Sequence, residues 1–353
     1  MKASKLSVLL FLAAGLVSCG GDTMVMNTEI HPDGTCCREL SFVTDTSGVS
    51  GYVVADTAYC TSVQRQWNDR RDSCLVRLAY RYPSVGRMSE HLPFRVAGQP
   101  LAAKGTLEKR FRWFHTDYTF TERYAPLAFS LPLPFTYAMT EDEASYWLTG
   151  SPDLYAGYSP YEVKDRLDAL ETQFWKYVRA CMLCEAHALL ADRYASIPDA
   201  PVSREVFVAE RDSFVERSLR EGYELWNEGR YFTAYFHSPA YENVLSGCLA
   251  DTLEQRQMQY LSVWSFRVDY RLAMSGDAVL TGTDNGVLQD DGLHFLLTGP
   301  RLLAGGCTVS ATFRTVNGWA FVLSLLVVLL ALAALFLPLL KRRVGRKVGS
   351  RVG

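Results

Sequence analysis

Histidine is scarce in this chain, six in 353 residues, and none sits in a His-Glu-x-x-His pair. Gly-x-Ser-x-Gly, a Ser-x-x-Lys in a supportive context and a phosphate loop are missing as well, which closes the single-segment routes to metalloprotease, serine hydrolase and nucleotide chemistry. A catalytic group assembled from distant positions stays open, because triads are recognised by geometry rather than spacing. Charge of one sign is absent in bulk: 36 Lys and Arg against 38 Asp and Glu leave −2, which excludes a basic nucleic-acid-binding domain. With 48% hydrophobic residues, 25 glycines and 14 prolines there is no compositional bias, so disorder and collagen are excluded too. Internal repeats are lacking. The stretch Gly222 to Tyr235 reads like one helical-repeat unit, but no copy follows about 34 residues away.

Long apolar runs are confined to the two ends. Lys2 and Lys5 precede an apolar run from Leu6 to Val17, the order of a secretory signal and too short to span a bilayer. The run ends in Leu16-Val17-Ser18-Cys19, which resembles the bacterial lipobox. That resemblance implies cleavage after Ser18 and a diacylglyceryl group on the Cys19 thiol, with residues 20–22 as a spacer. No other cofactor is expected. At the far end Trp319 to Leu340 holds no charge and only Ser324 as a polar side chain. Its 22 residues reach about 33 Å as a helix, a full hydrocarbon span. Trp319 suits an interface, and Lys341, Arg342, Arg343, Arg346, Lys347 and Arg351 follow without an acid, so the tail of 341–353 belongs in the cytoplasm. The rival reading, a sorting signal that is cut off, lacks a protease motif just before Trp319.

These ends put the intervening residues in the periplasm or at the cell exterior, held on the inner membrane. Without signal and tail, 28 basic residues face 38 acidic ones, a net of −10. Such an ectodomain is not built to grip nucleic acid, so the expected partners are the membrane and an envelope protein.

Within the ectodomain the hydrophobic period changes twice. Residues 23–139 read as β-rich: a strand from Thr23 to Ile30, a turn at His31-Pro32-Asp33-Gly34, a strand to Val43, and further strand signal in Gly51 to Ala55, Leu75 to Tyr82 and Leu107 to Tyr124. Residues 140–262 read as helical. Thr140 with Glu143 is a capping box, and Ser159-Pro160 with Glu162 is a second helix start. Behind it Val163, Leu167, Leu170, Phe174, Tyr177, Cys181, Cys184 and Ala188 recur at spacings of four and three, a packing seam. Pro198 and Pro201 end that helix, a second runs from Val202 to Trp226, and Ser238-Pro239 opens a third toward Leu261. Alternation returns over residues 263–317. The expected fold is α+β: an extracytoplasmic β domain interrupted by a helical insertion, plus one C-terminal transmembrane helix at 319–340.

The lipobox, the Ile-His-Pro-Asp-Gly hairpin at residues 30–34 and the closing Thr308-Val-Ser-Ala-Thr-Phe-Arg-Thr-Val-Asn317 strand leading to one span resemble Bacteroides-type lipoproteins with a C-terminal transmembrane helix. More distantly the chain is similar to LppM-type mycobacterial lipoproteins, which implies a β domain between lipid and membrane helix and brings no catalytic residues.

Eight cysteines besides Cys19 lie in the exported part, where disulfides are permitted. Cys36, Cys37, Cys60 and Cys74 are the disulfide candidates, with connectivity open. Cys181, Cys184 and His187 share one helical face and are weak candidates for a metal or redox site, against a packing role for buried cysteine on the seam. The strip Lys109 to His115 mixes bases with aromatics, as ligand platforms do, or forms half-buried sheet. Asp284-Asn285-Gly286 and Asp290-Asp291-Gly292 are turn formers without the spacing of a calcium loop. The expected function is a non-enzymatic interaction or accessory module of the cell envelope; the alternative is an exported metal- or thiol-dependent enzyme using Cys181, Cys184 and His187.

Overall fold

The computed structural model describes residues 24–45, 51–54, 57–149, 152–221, 228–289 and 292–349. The signal-like segment, Cys19 and the spacer lie outside the described residues, as do Asp290, Asp291 and Arg351.

Alternation builds the first strands. β1 (Met24–Ile30) buries Met24, Met26, Thr28 and Ile30 on one face, and β2 (Cys36–Thr44) buries Cys36, Arg38, Leu40, Phe42 and Thr44. Gly34, at φ +90°, supplies the left-handed backbone that closes the turn between them. β3 (Cys60–Trp67) and β4 (Cys74–Tyr82) form the next hairpin. Of Gly51 to Ala55, expected as a strand, the described part makes one isolated bridge, Val53 to Phe94. A short helix α1 (Val85–Glu90), a small hairpin of β5 (Arg95–Val96) and β6 (Gln99–Pro100), and a long one of β7 (Ala103–Phe111) and β8 (His115–Tyr124) follow.

The helical run opens as its caps predict. In α2 (Glu141–Thr149) the Glu143 amide donates to Thr140 Oγ1 and the Thr140 amide donates to the Glu143 carboxylate. In α3 (Pro160–Asp192) Ser159 and Glu162 make the same reciprocal pair. The expected stretch Val202 to Trp226, whose residues 222–226 lie outside the described residues, divides into α4 (Arg204–Ala209) and α5 (Arg211–Glu221), and α6 (Glu228–Phe236) follows. The stretch from Ser238 divides at Gly247 into α7 (Ala240–Ser246) and α8 (Ala250–Ser265). Two helical cores result, one around Phe207, Phe214, Phe232 and Tyr241, the other around Phe174, Tyr177, Cys181 and Tyr260.

Strands then return as β9 (Arg267–Met274), β10 (Val279–Thr283), β11 (Val287–Gln289) and β12 (Gly292–Thr298). Helix α9 (Gly299–Ala304) leads to β13 (Cys307–Val316), and α10 (Gly318–Gly349) ends the described chain. A seven-stranded sheet runs β11-β12-β9-β1-β2-β4-β3, and a four-stranded one runs β10-β13-β8-β7. Both sheets mix strands from before and after the helices. β1 lies parallel to β9, from Met24 beside Val268 to Ile30 beside Met274, and β13 lies antiparallel to β8 along ten residue pairs. The fold is α+β, and the inner faces of the two sheets share one hydrophobic core.

Candidate functional site

The parity of the central strands decides what reaches solvent. Even-numbered residues of β1, β2, β4 and β9 point into the core, so the odd-numbered ones form an open polar face, as a largely antiparallel sheet permits. Asn27, Glu29, Glu39, Thr61, Arg81 and Arg271 line a cleft of about 440 Å³ on that face. It carries carboxylates and guanidiniums side by side. A wider recess of about 800 Å³ continues from it past the β1–β2 turn, and Cys37 and Arg81 border both.

Cys37 is the chemically distinctive group there. Its Sγ lies 3.7 Å from His31 Nε2, and His31 Nδ1 lies 2.6 Å from Ser275 Oγ. The turn explains the first contact, since a tight hairpin sets residue 31 beside residue 37. The second needs β9 to lie parallel to β1, where the Ser275 amide donates to Ile30 O at 2.9 Å. Thiol, imidazole and hydroxyl thus form a chain in which the ring is oriented for proton exchange with the thiol. Beside it, hydrogen bonds from the Thr35 hydroxyl and amide hold the Asp33 carboxyl below its ordinary range. Along β9 the face continues with Asp269, which accepts from Arg271 Nε at 3.0 Å and pairs with His294 Nδ1 at 3.0 Å.

Directly behind this face a polar cluster is sealed between the sheets. Arg38 Nη2 donates to both Glu122 oxygens, at 3.0 and 3.2 Å, and to Tyr270 OH at 3.3 Å, while Arg38 Nε donates to Thr28 Oγ1 at 3.1 Å. Glu122 also accepts from Ser89 Oγ at 2.6 Å and Tyr124 OH at 2.8 Å. Burial pulls the Arg38 guanidinium down, but the adjacent Glu122 carboxylate outweighs it and keeps Arg38 above its ordinary value, hence charged. Gly105 on β7 makes room for this: a Cβ there would stand 2.2 Å from Ser89 Oγ and 2.8 Å from Val85 Cγ1, so only glycine lets α1 press Ser89 onto Glu122.

The candidates read from the sequence land differently. Cys181, Cys184 and His187 are buried in the two helical cores rather than gathered around a site. His187 Nε2 donates to Phe207 O at 2.9 Å, and the ring stacks on Phe207 with centroids 4.1 Å apart. Burial pushes the Cys181 thiol up to about 12 and the Cys184 thiol to about 11, the reverse of what a reactive dithiol requires. Among the described residues no group of three or more His, Cys, Asp or Glu side chains is placed to hold a metal ion. These features favour the packing reading of the seam.

In this structure the disulfide candidates Cys36, Cys37, Cys60 and Cys74 stand as free thiols. Register explains it. Cys36 stands opposite Tyr82 on β4 while Cys74 stands opposite Thr44, at the other end of the β2–β4 ladder. Cys60 pairs with Tyr80 on the far side of β4, two strands from Cys36 and Cys37 and hence roughly 10 Å away, beyond disulfide reach.

The strip Lys109 to His115 is the tip of the β7–β8 hairpin, and it rests against the start of α10. Phe111 stacks on Trp319, Trp113 meets Trp319 edge-on at 5.3 Å, and Phe114 meets Phe321 at 4.7 Å. Asn317, the single residue between β13 and α10, ties them together: its side-chain amide donates to Arg112 O at 2.7 Å and its backbone amide to Phe114 O at 2.9 Å.

His31, Ser275, Arg81, Arg271, Arg38 and Glu122 were not singled out as site residues from the sequence. The signal for the sealed pair was parity, because Arg38 and Glu122 each occupy an inward position of an alternating strand. Comparison with family models, with curated proteins and with solved structures returns no match.

Proposed function

We propose that this protein is a doubly membrane-anchored cell-envelope lipoprotein acting as a non-enzymatic interaction or accessory module. A lipid on Cys19 and α10 hold it on the inner membrane, the basic tail stays in the cytoplasm, and a β domain interrupted by a helical insertion stands in the periplasm or at the cell exterior. The open face of the seven-stranded sheet, with its cleft of mixed charge, meets an envelope protein partner. The observation that carries this reading is the junction at Asn317. A strand of the sandwich passes through one residue into a helix whose Gly318–Phe336 portion has a mean hydropathy of 2.8 and leaves its apolar side chains uncovered. Such a surface is stable in hydrocarbon rather than water.

The test is a photo-crosslinking residue at Glu29, at Glu39 or, on the helices, at Val208, in the full chain in its own membrane with a tag after Gly353. One partner recovered from Glu29 and Glu39 but not from Val208 supports the sheet face. A partner recovered only from Val208 moves the surface to the helices. A mature protein without its tag ends the two-anchor topology.

A further inference from the structure

We propose that the tip of the β7–β8 hairpin, Phe111 to Phe114, is a lipid-binding wedge that enters the bilayer interface beside α10, with the bases around it taking anionic phospholipid headgroups. The inference rests on the reading that α10 spans a membrane.

Depth is the first argument. Trp113 Nε1 donates to Ser324 Oγ at 2.9 Å, and Ser324 lies six residues beyond Gly318, about 9 Å along the helix axis. If α10 is in hydrocarbon from Trp319 onward, Trp113 is at the same depth as the first turns of the span. The hydrogen bond matches that placement. Ser324 is the one polar side chain from Trp319 to Leu340, and an indole N–H or a hydroxyl left unpaired in hydrocarbon costs several kcal/mol, roughly 4–8 on alkane scales. Here the Ser324 hydroxyl oxygen accepts from the indole N–H and satisfies it.

Exposure is the second. Although they touch Trp319 and Phe321, Phe111, Trp113 and Phe114 remain 56%, 47% and 44% exposed. Three large aromatics on one exposed hairpin tip, continuous with an uncovered apolar helix, form a single apolar surface. Aromatic rings with a polar edge favour the headgroup boundary.

Charge is the third. Lys109, Arg110, Arg112 and Arg314 surround the tip against Glu108 and Asp117, so the region is cationic on an ectodomain whose net charge is −10. Asp117 binds Arg314 Nε at 2.7 Å and Arg112 Nε at 3.3 Å, which leaves the local balance positive. Basic stems that snorkel upward from an immersed tip place their charges among headgroup phosphates. The consequence is orientation: with the hairpin beside α10 in the interface, the sandwich stands on the membrane at a set angle instead of swinging on one junction.

The experiment uses the full chain in vesicles of phosphatidylcholine with a minority of phosphatidylglycerol. A diazirine amino acid replaces Trp113, Val328 in the middle of α10, or Leu288 on β11, and lipid adducts are counted by mass spectrometry. A Phe114 replacement serves as a second tip probe should the Trp113 variant not fold. Adducts at 328 and at the tip, the latter at least about tenfold above Leu288, are expected. Phosphatidylglycerol among the tip adducts is expected at about three times its share of the bilayer. Adducts at 328 with the tip at the Leu288 level overturn the wedge and leave the span standing. No adducts at 328 overturn the span itself, and the wedge with it. Tip adducts that mirror the bulk lipid ratio overturn the headgroup assignment.

Discussion

Arg38 and Glu122, 84 residues apart in the chain, meet at 3.0 Å between the two sheets with neither side chain exposed to solvent. One belongs to the seven-stranded sheet and the other to the four-stranded one, so the pair fixes how the sheets lie on each other. Four neutral hydroxyls, from Thr28, Ser89, Tyr124 and Tyr270, complete most of its hydrogen bonds, and within the pair Arg38 Nη1 is the buried atom left without a partner. Such a pair is weak support for net stability, because desolvation offsets its attraction. Breaking it from one side is another matter.

Glu122→Gln is therefore expected to destabilise the protein by about 3–5 kcal/mol, since it strands a buried guanidinium. The double change Arg38→Met with Glu122→Leu is expected to recover most of that loss. Urea unfolding of the full chain in detergent, followed by tryptophan fluorescence, checks both. A Glu122→Gln protein as stable as the parent would refute this account of the pair.

Gly105→Ala is expected to lower stability by about 1–3 kcal/mol, because the new methyl meets Ser89 Oγ at 2.2 Å where α1 lies on β7. Gly282→Ala, with nothing within 4 Å of its added Cβ, is the control and should stay within about 0.5 kcal/mol. Paired thermal melts decide; equal shifts for the two would mean that α1 is not seated against β7.

Iodoacetamide applied to the native protein is expected to modify Cys37, Cys60 and Cys248 and to spare Cys36, Cys74, Cys181 and Cys184 until the fold is opened. Burial holds the Cys36 thiol, like that of Cys181, up to about 12. His31→Ala should slow modification of Cys37 near neutral pH and leave Cys248 unchanged, because His31 Nε2 is the base within reach of Cys37. Peptide mass spectrometry over time reads each rate, and fast labelling of Cys181 would contradict its place in the core.

Acid is expected to loosen the helical core around His187. Burial lowers the folded value of this imidazole below the ordinary 6.5, so between the two values the unfolded chain binds the extra proton. Stability is thus fully present above about 6.5 and declines as the pH falls through the folded value. Hydrogen exchange of α3 and α4 at pH 7.5 and 5.5 measures it, with His187→Gln expected to flatten the difference.

Much of the local architecture was legible. The capping pairs at Thr140 and Ser159 start helices where they stand because their hydrogen bonds close within three residues. The seam of α3 is visible from Leu170 to Cys184, although Ala188, expected on it, is exposed, and the alternation of β1, β2 and β4 is visible in the same way, since burial period follows from backbone geometry. β3 was missed, having seven of its eight residues exposed and hence no alternation to see. The division of the later helices at Glu210 and Gly247 was missed because caps and breaks there are settled by packing onto α3.

By itself the sequence determined the two periodicities, the helix starts and the apolar C-terminal helix, all of them properties of neighbouring residues and their own solvation. Tertiary structure alone decided that β1 lies beside β9, that Ser275 orients His31 toward Cys37, that Arg38 finds Glu122, and that Cys181 and Cys184 fall into separate cores. Those outcomes depend on register between strands and helices far apart in the chain. A shift of one residue would turn every such side chain to the opposite face, and no local preference records which register is taken.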